Sequence, residues 1–179
     1  MTERYDPYSA LPAVPEFALR STDIADGVTL AVAQRSSLFG RPGQDRSPHL
    51  AWDGHPAGTR SFAVTCYDPD ALTVSGFWHW VVFDIPGSVT ELPAGAGDAG
   101  GRYLPTGAKT LANDAGRHGY LGAAPGPGEA PHRYVFVVHA LDVPTLDVAT
   151  DATPAWLGFR LVVHALARAT LTPVFGIPA

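Results

Sequence analysis

The sequence predicts a mainly β domain in which two sheets pack together and a single helix lies near one end. Three observations point there. Apolar residues alternate with a period of two along residues 61–67, 78–85 and 134–141, the pattern of strands. Nineteen Gly and 17 Pro in 179 residues punctuate the chain into many short elements. Strand-like runs outnumber helical ones, without the regular alternation that a parallel sheet requires. With 46% hydrophobic and 16% charged residues, the chain holds enough apolar surface for one domain with a real core.

Residues 1–16 form an N-terminal arm rich in Tyr and Pro (Tyr5, Pro7, Tyr8, Pro12, Pro15). It has no period of its own and is expected on the surface of its own or a neighbouring subunit, or to be mobile. The domain then spans residues 17–179. Phe17, Ala18 and Leu19 open a strand, Asp26-Gly27 is a hairpin-type turn signal, and residues 28–32 follow as the antiparallel partner. Residues 34–47 read as a polar loop. Residues 47–52 read as extended chain, with His49 structural or exposed.

In the first central strand, Phe62, Val64 and Cys66 face one way and Ala63, Thr65 and Tyr67 the other. The acidic turn Asp68-Pro69-Asp70 leads from it to the second, which carries His79. Residues 88–119 are Gly-rich with little period, as expected of a cover over a site or an edge strand. The punctuated loop 120–128 then delivers His132-Arg133-Tyr134 to the head of the third apolar run. Thr153-Pro154 is a helix start, an N-cap followed by a first-turn Pro. Trp156, Phe159, Val163, Leu166 and Thr170 recur at helical spacing, so an amphipathic helix with that apolar face is expected to close the domain. Residues 173–179 add a short extended piece.

A net charge of −5, pI near 5.7 and scattered Lys and Arg give no electrostatic footprint for nucleic acid or an anionic membrane. The single cysteine, Cys66, cannot form an intrachain disulfide and reads as a packed, inert thiol. No apolar leader and no run of about 20 apolar residues is present, so the expected compartment is the cytoplasm, with no integral membrane segment.

The residues with chemistry to offer are Asp68, Asp70, His79, His132 and Tyr134. Asp-Pro-Asp serves equally as turn chemistry, through side-chain bonds to its own backbone, or as the acidic part of a pocket. His79 between Trp78 and Trp80 reads as a core histidine or a ligand group, and Tyr134 as core or as a hydroxyl donor. Taken together they suit an anion site in which Asp68 holds an imidazole protonated. His and Asp lack the close spacing of metal ligands. Ser75-Gly76 lacks a nucleophile-elbow pattern and Cys66 lies inside a strand. The expectation is therefore a non-enzyme without cofactor or metal.

Several motifs resemble one known family. They are Ser47-Pro48-His49-Leu50-Ala51-Trp52, Gly58-Thr59-Arg60-Ser61-Phe62-Ala63-Val64-Thr65, Asp68-Pro69-Asp70-Ala71, Ser75-Gly76-Phe77-Trp78-His79-Trp80-Val81-Val82, Asn113-Asp114-Ala115-Gly116 and His132-Arg133-Tyr134. In this order, over residues 17–172, they are similar to the phosphatidylethanolamine-binding protein family, in its bacterial Raf kinase inhibitor-like branch. The resemblance implies a β-sandwich of two sheets with flanking helices. It also implies an end pocket for phosphate, acetate-like ions or a phospholipid headgroup, formed by Asp68, Asp70, His79, His132 and Tyr134 with backbone around Ala124 and Pro125. Two positions depart from the family pattern: Leu72 and Gly126 stand where it usually has Pro, and Gly126 costs more backbone entropy on ordering.

The function implied is binding of a small anion or phospholipid headgroup in a regulatory role. The alternative is inhibition of a kinase or serine protease. A third reading, a hydrolase or isomerase using His79 and Asp68 as acid and base, has no nucleophile or cofactor motif behind it. Whether the chain pairs with a second copy is left open.

Overall fold

The computed structural model describes residues 5–179, so the first four residues of the arm lie outside it. In chain order the elements are β1 (Ala18–Arg20), β2 (Leu50–Asp53), β3 (Ser61–Asp68), β4 (Phe77–Pro86), β5 (Glu91–Leu92), β6 (Lys109–Thr110), β7 (His132–Arg133), β8 (Val135–Leu141), α1 (Pro154–His164), β9 (Ala165–Leu171) and β10 (Val174–Phe175). A five-stranded antiparallel sheet runs β6-β4-β3-β8-β9, a three-stranded sheet β1-β2-β5, and β7 pairs with β10. The three most apolar runs thus occupy the centre of one sheet, with Val81 and Val137 buried. The fold is the mainly β architecture expected, and no helix among the described residues is long and apolar enough to cross a membrane.

Phe62, Val64 and Cys66 of β3 pack with Trp80, Phe136 and Val138 against Leu50, Trp52 and Leu92 of the smaller sheet. The Trp52 and Phe62 rings meet edge-on at 5.3 Å. Ala63, Val81, Phe83 and Leu141 face the other way, under Leu146, Leu157 and Leu161. Both faces of the central strands are therefore covered.

Four expectations fail. Residues 28–32 form no strand with β1. Residues 28–30 instead lie beside β10, where Leu30 N–H donates to Val174 O at 2.9 Å, Val32 opens a short 3-10 turn, and β1 pairs with β2. Asp26 does not close a hairpin, because its carboxylate accepts from Thr172 N–H at 2.7 Å.

The closing helix starts as expected, with the Thr153 hydroxyl accepting from Trp156 N–H and Pro154 in the first turn. It ends at His164 rather than reaching Thr170. Ala167, Ala169 and Leu171 alternate toward one face of β9 and align with Ala140, Val138 and Phe136 of β8, and pairing along that edge outweighs the helix preference of an Ala-rich run. The buried face is Pro154, Leu157 and Leu161, while Trp156, Phe159 and Val163 are each more than half exposed.

The described part of the arm lies on its own domain. Arg133 Nη2 donates to Tyr5 O at 2.8 Å, Arg168 N–H to Pro15 O at 3.0 Å, and the Tyr8 ring sits beside His139 and Arg168.

Candidate functional site

β3 ends at Asp68, and its two carboxylate oxygens do different work. Oδ1 accepts from Asp70 N–H at 2.8 Å, closing the turn. Oδ2 lies 2.8 Å from His132 Nδ1. The turn reading and the pocket reading both hold for this one side chain. Burial raises the Asp68 carboxyl above its ordinary value, and the His132 contact works against that rise.

Asp70 does not line the cavity. Its carboxylate takes Arg133 Nε and Nη2, each at 2.8 Å, and Arg133 N–H at 2.9 Å. This bidentate clamp ties the 68–76 turn to β7 and so brings Asp68 against His132. The Asp70 contact, in turn, raises the Arg133 pKa above its ordinary value.

His79, buried on β4, lies between the rings of Phe77 at 4.8 Å and Tyr134 at 5.2 Å. Its Nδ1 donates to Leu121 O at 2.8 Å. Burial lowers its pKa to about 4, so at pH 7 the ring is neutral. With the single proton on Nδ1, Nε2 is an acceptor. His79 is thus not the ring that Asp68 faces: no described carboxylate hydrogen-bonds it, and the more distant Asp45 offsets only part of its desolvation.

His132 is different. Asp68 faces its Nδ1, and Glu129 Oε2 stands 2.9 Å from its Nε2, so each ring nitrogen has a carboxyl partner. Glu129 reaches that position because residue 126 is Gly: a Cβ there would collide with Glu129 Oε1. The Gly126 departure therefore makes room for a carboxylate inside the pocket.

The Tyr134 hydroxyl is buried with no hydrogen bond of full geometry. Burial pushes its ionisation far above the ordinary range, and the Ala124 backbone beside it pulls slightly the other way.

Asp68, His79, His132 and Tyr134 converge with Ala124 and Pro125 on one cavity of about 340 Å³. Phe77, Leu121, Phe39 and Leu72 give it apolar walls, and no Lys or Arg among the described residues lines it. Of the residues singled out in the sequence, only Asp70 stands outside. Sequence reasoning missed Glu129, although it is the sole carboxylate between Asp114 and Asp142 and lies three residues before His132. Phe77 and Leu121 carried no signal beyond their apolarity.

The site chemistry is a mixed one: an acceptor at His79 Nε2, an unpaired donor at Tyr134, and a donor at His132 Nε2 already holding an oxyanion of the protein's own. Cys66, nearby in β3, is buried, which pushes its thiol well above the ordinary range.

The sequence profile of the phosphatidylethanolamine-binding protein family matches residues 20–176. UPF0098 protein YbhB of Escherichia coli is 48% identical over 157 residues, spanning 88% of this chain and 98% of the relative. The crystal structure of Escherichia coli YbcL aligns with a TM-score of 0.88 at 46% identity, covering 90% of this chain and 99% of that one. Carboxypeptidase Y inhibitor, solved with its cognate proteinase, shares the fold at a TM-score of 0.55 and 18% identity, over 91% of this chain and 84% of that one. The chain belongs to the phosphatidylethanolamine-binding protein family.

Proposed function

We propose that this protein is a non-enzymatic binding module whose end pocket captures a phosphate group carrying an O–H, with a regulatory role that follows from occupancy. The observation that carries this is the buried Tyr134 hydroxyl, whose O–H has no acceptor among the described residues although the Ala124 backbone lies beside its oxygen, on a residue lining the same cavity as His79 and His132. A buried polar group without a partner calls for one, and a phosphoryl oxygen supplies it. Glu129 on His132 Nε2 marks where a second oxygen of the ligand binds after displacing that carboxylate. His79 Nε2 accepts the ligand's own proton.

Hydrogen phosphate keeps an O–H at pH 7. A phosphomonoester keeps one only below its second ionisation, near ~6, and a phosphodiester headgroup has none. Inhibition of a kinase or protease remains the alternative role, and the inhibitor relative supports it through shared fold alone.

The test is an NMR titration with inorganic phosphate, phosphoethanolamine and glycerophosphoethanolamine. Inorganic phosphate is expected to bind most tightly, shifting the Leu121, His132 and Tyr134 amides. Tyr134→Phe and His132→Ala, folded by the same spectra, should each weaken it by roughly 10- to 150-fold, the worth of one charged-group hydrogen bond. Unchanged affinity in both variants would contradict the assignment, and tightest binding of the diester would shift it to a lipid headgroup.

A further inference from the structure

On the opposite face of the five-stranded sheet, α1 and the N-terminal arm enclose a second cavity of about 350 Å³. That volume is at the small end of the ~300–1,000 Å³ typical of ligand sites. Its walls include Leu11 of the arm, Trp78 of β4 and Phe159 of α1; its floor is His139 and Arg168, cross-strand partners on β8 and β9.

The two floor residues are chemically unfinished. Arg168 makes no ion pair with any described carboxylate; one Nη1 donates to Pro12 O at 3.3 Å, its guanidinium faces the Tyr8 ring at 5.6 Å, and its Nε is buried without a partner. His139 is 2% exposed, and its Nδ1 is likewise buried and unpaired. Its Nε2 lies 3.4 Å from the Thr65 hydroxyl, which leaves Nδ1 to carry the proton when Thr65 donates. Burial with Arg168 nearby keeps His139 neutral, with a pKa of about 3.

A guanidinium with no carboxylate partner and a buried, unbonded Nε, beside an imidazole whose buried Nδ1 is also unbonded, is costly in a protein interior, and both are suited to a carboxylate. Gly158 completes the case. It stands in the middle of α1, where Gly costs about 1 kcal/mol against Ala, yet a Cβ there would meet nothing within 4 Å. The space it leaves belongs to the cavity rather than to close helix packing.

We propose that this cavity is a second ligand site, for a small aromatic or cyclic monocarboxylate. Its carboxylate binds Arg168 Nε and His139 Nδ1–H, and its ring lies between Trp78 and Phe159. The site is separate from the Asp68 pocket and does not depend on the phosphate reading.

The test is an NMR titration of the full chain with benzoate, with benzamide as the uncharged isostere. Benzoate is expected to bind saturably, shifting the Trp78 indole and Gly158 amide signals, and benzamide at least tenfold more weakly. Arg168→Gln should cost tenfold or more. Because that change also loosens the arm, Gly158→Leu serves as the second variant: it keeps Arg168, improves helix propensity, fills the cavity and should abolish binding. Asp68→Asn should leave benzoate affinity unchanged. The proposal is overturned if benzoate shows no saturable binding, shifts only the Asp68 pocket, binds no better than benzamide, or binds Gly158→Leu as it binds the parent.

Discussion

On the proposed phosphate reading, Glu129 sets the terms on which the end pocket would meet an anion. It occupies His132 Nε2 and adds a second carboxylate to a cavity that already holds Asp68, so an incoming anion must displace one charge and approach another. Glu129→Gln keeps the size and removes the charge; phosphate affinity should rise about tenfold, the worth of weakening one charge-assisted hydrogen bond. Isothermal titration calorimetry checks this, and a fall in affinity would mean that Glu129 helps hold the ligand. Much of this site was legible in the sequence, because Asp68, His79, His132 and Tyr134 sit at strand ends that a period-two pattern locates. Two things were not. That Asp70 faces Arg133 rather than the cavity depends on how the turn folds back on β7, and the neutrality of His79 depends on complete burial, which no local pattern reports.

At the scale of elements, α1 shows where periodicity runs out. From Pro154 to Val163 the helix is apolar nearly all round, so both the Trp156-Phe159-Val163 face and the Leu157-Leu161 face satisfy helical spacing, and only packing onto the sheet chooses between them. Leu157→Ala and Leu161→Ala should each cost about 2–5 kcal/mol by emptying core volume. Trp156→Ala and Val163→Ala, half-exposed, should cost about 1 kcal/mol or less. Urea unfolding measures both pairs, and equal costs would contradict the observed face. The three central strands were legible because their apolar alternation is strong. Residues 28–32 have the same local pattern, but the partner of 28–30 is β10, nearly 150 residues away in sequence, and a nearby turn signal carries no information about that.

The whole molecule carries two buried neutral histidines, His79 with pKa about 4 and His139 about 3, both lowered chiefly by burial. Unfolded, each would titrate near 6.5. Between pH 6.5 and about 4.5 the unfolded chain therefore binds up to two more protons than the native one, and stability falls with acidification. The slope approaches roughly 2.7 kcal/mol per pH unit, a loss of several kcal/mol from a typical total of about 5–15. Asp68, raised by burial, works in the opposite sense and offsets part of it. The melting temperature should drop steeply across this window, and His139→Gln, which cannot titrate, should reduce the slope; a flat profile would show that these rings are not held neutral.

The neutral ring at His79 also gives the most direct test of the end pocket. Ionising it at pH 7 costs about 4 kcal/mol, from 1.36 kcal/mol for each pH unit above its pKa, so the pocket offers an acceptor there and, on the proposed reading, would select ligands that bring a proton. Calorimetric titration of phosphate and sulfate at pH 7 reads this in one experiment. Phosphate should bind at least about fivefold tighter, since sulfate leaves two acceptors facing each other at a cost of about 1–3 kcal/mol. Sulfate binding as tightly as phosphate, or no measurable binding of either, would contradict the account.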